Sequence, residues 1–403
     1  MVDEFHFQSA AFSAEEINSL MADMTDHFEM YRDIPFDLII LFLTHQFIGH
    51  TEYIVSQIQE QLTSNVIIGC TVENIVSSSS DVEGKPGISM LLAQMPGVDL
   101  AAFHLDPPAW HKLLNSQRKF KDSVGISKDA RIGLLFSDAL TTPLDHLLDA
   151  FNTWYPGLKL VGGIASGVVQ SGSVGLILND TVYNSGTVGL TISGAIQTDT
   201  IFTHGCRPIG VPMEVTLSHD NLILSLNGNR PQDIIEQLIT NMDLEDQEAL
   251  KNGLYIGRPF DRQKSNLKRG DYLISGVYGY EHSSGAIVVG DKFETGETVH
   301  FHLHDPSTSQ EDFEMSLVPQ VFRDPPSAVL LFTCNGRGKG FYGHENVDLS
   351  IISQNLNEPQ VAGFFSSGEF GSVRGRNYLL SNAACLLLLR PDLHPIEDLE
   401  DNG

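Results

Sequence analysis

The chain reads as an α/β protein: mixed sheets with flanking helices, built from pseudo-repeated β-α-β-β-β units and divided into two domains. Three observations predict this. Short, wholly apolar runs alternate with amphipathic stretches in the same order three times, as expected of sheets covered by helices. The second apolar run of each set carries a glycine (Gly69, Gly162 and Gly363), at a similar distance after Leu38, Ile132 and Val329. Five positions beyond each glycine stands Asn74, Gly167 or Gly368, residue types that enter the region of positive φ cheaply. IGCTVENI, VGGIASGV and AGFFSSGE therefore read as three copies of one strand-to-turn element.

The elements follow in order. Ser13 to Met30 is predicted helical, with Ser13 and Glu16 as a capping box and Ile17, Leu20, Met21 and Met24 at helical spacing. Asp37 to Phe42 is a buried strand, Thr51 to Leu62 an amphipathic helix with Tyr53, Ile54, Ile58 and Leu62 inward, and Val66 to Cys70 the next strand. A serine-rich loop (Ser77 to Ser80) leads to strands at Ile88 to Gln94 and Val98 to Leu105, then a partly helical connector, Pro107 to Asp122. The second unit has a strand at Arg131 to Phe136, a helix at Pro143 to Trp154 and a strand at Leu158 to Val161. Two further strands, Ser173 to Leu178 and Thr187 to Ser193, are joined through a turn at Asn179-Asp180.

Ile201 to Leu226 reads as strands, and Asn227 to Pro231 as a strong turn signal ahead of a helix, Gln232 to Asn241. Strands are expected at Leu254 to Gly257, Tyr272 to Gly279, Gly285 to Val289 and Thr298 to His304. The third unit follows, with a strand at Val329 to Phe332, a helix at Val347 to Leu356, a strand at Val361 to Phe365 and a closing strand at Tyr378 to Leu389. The domain division is thus a helical preface over 1–35, an N-terminal domain over 36–230, a C-terminal domain over 231–390 and an acidic, unstructured tail over 391–403.

Composition narrows the function. The 403 residues include 51 acidic and 24 basic side chains, a formal charge of −27, which disfavours nucleic acid and anionic membrane surfaces as partners. The four cysteines lie far apart without a CxxC pair, which argues against a disulfide scaffold or zinc cluster and for a reducing, cytoplasmic setting. No signal peptide or membrane span is visible.

Two loops stand out. The apolar run Val329 to Phe332 empties into Cys334, Asn335, Gly336, Arg337 and Gly338. The run Val361 to Phe365 empties into Ser366, Ser367, Gly368, Glu369 and Phe370. Strand ends of this kind are where α/β sheets hold ligands. If the loops meet, Arg337 offers a fork for a carboxylate and Glu369 an acceptor for an ammonium, a pair suited to an amino acid or similar zwitterion. Alternatively the two residues pair with each other and fasten the loops. Cys334, beside Asn335 and ten residues from His344, lacks the pairing signature of a nucleophile. GRGKG lacks P-loop spacing. His300, His302 and His304 alternate along one strand, so they share a face and could in principle ligate zinc. No metal, cofactor or catalytic constellation is expected.

LFTCNGRG with AGFFSSGEFG, preceded by SGAIVVGDKFETGETVHFHLHD, resembles the C-terminal FIST domain. IGCTVENI, GISMLLAQMPGV and VGGIASG resemble the N-terminal FIST domain. The resemblance spans roughly Phe36 to Arg390. It departs from the family at His304, where arginine is common, and at Asn74, where glycine is usual. It implies an intracellular sensory module of signal transduction that binds small ligands such as amino acids and passes the signal to a partner protein. The family also occurs behind an F-box in a ubiquitin-ligase substrate receptor, so a docking platform is the second expectation. A hydrolase using Cys334 is the third.

Overall fold

The computed structural model describes residues 4–167, 170, 172–264 and 266–392. The tail expected over 391–403 lies, from 393 onward, outside the described residues. The α/β class with mixed sheets and flanking helices is what the chain forms. Each unit is centred on a parallel strand pair: Pro35–Thr44 with Thr63–Val72, Ile132–Ser137 with Lys159–Ile164, and Ala328–Cys334 with Gln360–Ser366. On one side of each pair lie two antiparallel strands of the same unit: Ile88–Gln94 then His6–Phe12, Thr187–Gly194 then Val98–Leu105, and Ala384–Pro391 then Ile196–Thr203.

On its other side, each pair is completed by a hairpin from a different unit. Leu176–Leu178 and Thr181–Tyr183 of the second unit join the first sheet, and Glu369–Val373 and Arg376–Leu380 of the third join the second. Ile75–Ser77 and Asp81–Val82 of the first join the third. The exchange is cyclic, so the three units close into one body with a single shared centre. Phe42, Phe136 and Phe332 hold equivalent strand positions and meet there, with ring centroids 5.4, 6.2 and 5.8 Å apart. Edge and tilted aromatic packing of this kind adds to the burial of the rings.

The repeat glycines have a defined task. In register they face Leu41, Leu135 and Leu331 of the neighbouring parallel strand. A Cβ on Gly69, Gly162 or Gly363 would fall on the carbonyl oxygen of that leucine. The turn positions behave differently from expectation. Of Asn74, Gly167 and Gly368, only Gly167 has a positive φ (78°). The peptide carbonyls of Asn74 and Gly368 are what matters, accepting from Phe365 and Ile164 of the neighbouring units. In the second unit the matching carbonyl is that of Gly175, which accepts from Thr71 N–H.

A closed barrel is inserted in the third unit, between Ile196–Thr203 and the helix Pro306–Leu317. Its strands run in the order Cys206–His219, Leu222–Leu226, Ile287–Val289, Tyr272–Tyr280, Leu254–Pro259, Thr298–His304. Closure removes the exposed edges that such short strands would leave. The turn at Asn227–Pro231 lies inside this barrel, with barrel strands on both sides of it.

Several local expectations are corrected. His6–Phe12 is a strand, so the preface is not helical throughout. The first helix starts at Ile17 without a side-chain cap, and the Ser13 hydroxyl instead donates to the Pro86 carbonyl. Tyr53 is exposed and Val55 takes the inward place. The run expected as one closing strand breaks at Ser381–Ala383, because its first part pairs in another unit's sheet. Helix Pro306–Leu317 carries no hydrophobic periodicity to announce it, because its sequence is polar. Its start was nonetheless written in Asp305-Pro306, where Asp305 accepts from the Thr308 N–H at 2.9 Å.

One exchanged hairpin carries a pH-dependent tie. Asp81 and Asn346 bond reciprocally through backbone N–H groups at 2.6 and 3.1 Å. Burial, followed by the charges of Asp348 and Glu83, pushes the Asp81 carboxyl up to about 7. A raised carboxyl stabilises the fold while protonated, and that contribution is lost as pH rises toward 7. Asp81→Asn removes the titration. Relative to the parent chain it is expected to gain about 2 kcal/mol more at pH 8 than at pH 5. Urea denaturation at both values checks this, and an equal difference at the two would refute it.

Candidate functional site

The two predicted loops do lie side by side. Cys334 and Ser366 are register partners, and the Asn335 amide donates to the Ser367 hydroxyl at 3.4 Å. Their side chains divide into two groups. Arg337 is 2% exposed and binds Asp348 through Nε and Nη2 at 3.1 and 3.0 Å. Asp348 also accepts from Thr333 and Tyr342 at 2.7 and 2.9 Å. The arginine therefore neither holds a ligand carboxylate nor pairs with Glu369. Its charge is met from the helix Val347–Leu356. Glu369 is wholly buried, and one of its carboxylate oxygens accepts from Ala383 N–H at 3.2 Å. Burial pushes its carboxyl well above the usual range, so it is held neutral. It cannot serve as an open ammonium acceptor. Ser366, Gly368 and Phe370 are also buried, the Ser366 hydroxyl bridging to Gly368 and Ile164.

Asn335, Gly336 and Gly338 remain at the surface of a cleft of about 470 Å³. The first unit adds Glu73, Asn74 and Glu83, the barrel adds Asn252, Tyr255 and His304, and Phe341 and Asn382 complete the wall. It opens where the parallel strands end, between the three-unit body and the barrel, as ligand sites in α/β sheets do. Glu83 accepts from the Lys339 N–H at 2.8 Å, and a side chain at Gly338 would collide with that carboxylate. No lysine or arginine lines the cleft among the described residues. The Oδ1 of Asn335 and the Nε2 of His304 are buried and without a partner.

Sequence reading missed the barrel's contribution and Asn382 of the body, since nothing local marks Asn252, Tyr255 or Asn382 as neighbours of the Cys334 loop. Glu73 and Asn74 were visible as one copy of the repeated turn, the signal that could have placed them here.

Cys334 is partly exposed. Its thiol lies 3.9 Å from Asn382 Oδ1 and accepts from the Gly336 N–H at 3.5 Å. Burial, with the neighbouring Glu369, pushes it up to about 12, the opposite of nucleophile activation. The three strand histidines do not converge. His300 meets the Tyr272 hydroxyl at 3.2 Å, His302 meets the His300 carbonyl at 2.9 Å, and His304 stacks on Phe341 with centroids 4.3 Å apart. Burial holds His302 and His304 down at about 3, hence neutral. Among the described residues, no three histidine, cysteine or acidic side chains are placed to hold a metal ion.

Comparison with known proteins gives a consistent picture. The FIST N domain model matches residues 37–229 and the FIST C domain model residues 232–372. An uncharacterized protein of Mycobacterium tuberculosis strain H37Rv is 32% identical over 347 residues, 84% of this chain and 88% of its own. An uncharacterized protein of Mycobacterium bovis is 30% identical over 345 residues, 84% and 87% of the two chains. A cyanuric acid hydrolase from A. caulinodans aligns over 96% of this chain and 99% of its own. Its identity is 7% and its TM-score 0.33, too distant a likeness to bear on function.

Proposed function

Because the chain belongs to the FIST family, we propose that it is a sensory protein whose ligand, a small amine-bearing metabolite, binds in the cleft between the three-unit body and the barrel. Domains of this family are in general sensory domains of signal transduction. One observation carries the choice of ligand: the charged side chains that line the cleft are all carboxylates among the described residues. Glu73 and Glu83 bring negative charge, and no cation lines the wall among the described residues. An ammonium group fits that surface. An amino acid would be held by its amine, with its carboxylate turned outward, since Arg337 is already engaged by Asp348.

Binding would draw Asn252, Tyr255 and His304 of the barrel toward Asn335 and Asn382 of the body. The ligand would thereby favour the closed arrangement in proportion to its extra contacts there. The signal then passes to a downstream protein. The reading excludes catalysis, supported by the high thiol pKa of Cys334. A cytoplasmic setting is supported by four cysteines that all remain free thiols.

Titration calorimetry with amino acids and with primary amines lacking the carboxylate tests this. Saturable binding of both classes is expected, weakened about tenfold by Glu73→Gln or Asn335→Ala. Binding by neither class, or binding indifferent to both substitutions, would sink the proposal. The docking-platform reading draws support from a separate surface. Met315, Val318, Val321 and Phe322 form an apolar ridge, with Phe322 85% exposed. Such a platform would retain a protein partner without any amine-dependent change.

A further inference from the structure

Residues 106–131 stand apart in charge. They carry six basic and three acidic side chains, a charge of +3 within a chain whose total is −27. The segment folds as two short helices, Trp110–Leu114 and Gln117–Val124. Leu113, Phe120 and Val124 turn into one buried cluster, so Lys112, Arg118, Lys119 and Lys121 are left exposed. The Ser116 hydroxyl caps the second helix, and Gly125, with φ of 58°, ends it.

A groove of about 500 Å³ opens between these helices and the turn that precedes them, and it shares no lining residue with the cleft. Buried Leu113 meets it together with Pro107, Pro108 and Ala109, while Lys112 and Lys119 line it from the two helices. Asp122, the one carboxylate of its lining among the described residues, is paired with Arg118 at 3.7 Å. Lys112 and Lys119 enter no ion pair among the described residues, so the groove has two positive charges to spare. Apolar surface flanked by unpaired ammonium groups is complementary to carboxylates set around an apolar side chain. We propose that this groove docks an acidic segment of a partner protein. One apolar side chain enters over Leu113, and neighbouring carboxylates meet Lys112 and Lys119. A short segment touches only this basic patch. An anionic membrane, being flat and extended, would also meet the acidic remainder of the chain, which repels it. The docking does not depend on what fills the cleft.

The test is fluorescence polarisation of a labelled pentapeptide, one leucine between two pairs of glutamates, titrated with the full chain. Saturable binding is expected, weakening as salt rises. Exchanging the leucine for glycine should weaken it about tenfold, as loss of one buried apolar side chain does. Exchanging the glutamates for glutamines should abolish it. Lys112→Glu combined with Lys119→Glu, both changes at exposed positions, should abolish it too. Lys292→Glu, equally exposed but beside the barrel, should change it by less than about twofold. Phosphatidylserine vesicles should not sediment with the chain. No saturable binding, equal binding of the glycine peptide, indifference to the double charge reversal, or an equal loss on Lys292→Glu would each overturn the assignment. So would vesicle binding, or self-association of the chain, that the double reversal removes.

Discussion

Asp348→Ala is expected to destabilise the fold by about 3–5 kcal/mol, because it leaves the Arg337 guanidinium buried and uncompensated. The carboxylate accepts from Arg337 twice and from Thr333 and Tyr342 once each. Its removal therefore strands two hydroxyls as well as a charge. Arg337 Nη1 already lacks a partner, so the site has little spare capacity to absorb the loss. The guanidinium also lies over the faces of Phe313 and Tyr342, with centroids 5.9 and 5.7 Å away. Replacing both members, as in Arg337→Met with Asp348→Leu, should recover much of the stability, since an apolar pair avoids the desolvation of two charges. Guanidinium denaturation of the single and double variants measures this. A loss below about 1 kcal/mol for Asp348→Ala would mean that the pair does not hold the loop as described.

The second large effect is expected at the repeat glycines. Gly69→Ala, Gly162→Ala and Gly363→Ala should each cost at least about 3 kcal/mol, the upper end of what overpacking a core does. In each case the new methyl group would land on a backbone carbonyl of the paired strand. A backbone atom cannot rotate aside as a side chain would. Relief requires the parallel pair to part, which disturbs the ladder and the central Phe42, Phe136 and Phe332 cluster together. Gly49→Ala is the control. It has open space around it and no positive φ, so its effect should stay within about 0.5 kcal/mol. Thermal unfolding of the four variants decides. Tolerance of alanine at any of the three repeat positions would break their equivalence.

The repeat was legible because it is a property of backbone neighbours. Apolar runs of strand length, amphipathic runs of helix length and a glycine at a fixed place are all written locally. They placed strands Ile88–Gln94, Val98–Leu105 and Thr298–His304 to the residue. Adjacency of the Cys334 and Ser366 loops followed too, since consecutive parallel strands of a β-α-β unit end at one edge. The hairpin exchange was not legible. Leu176–Leu178, with its hairpin partner Thr181–Tyr183, joins Thr63–Val72 rather than the second unit's own sheet, and nothing in three apolar residues specifies which edge they will cover. The inserted barrel was likewise read only as separate strands, because its closure joins segments as distant as Cys206–His219 and Thr298–His304.

By itself, then, the amino-acid order determined the element types, the threefold repetition and the meeting of two glycine-bearing loops, all consequences of short-range sterics and hydrophobic periodicity. Tertiary structure alone decided which way the charged side chains of those loops point. Arg337 turns inward because Asp348 waits on a helix packed beneath the loop. Glu369 turns inward because its strand is enclosed on both faces, leaving Glu73, Asn335 and the barrel residues to form the open surface. A charge beside a glycine can face solvent or core at similar local energy. Only partners brought from elsewhere in the chain break that tie.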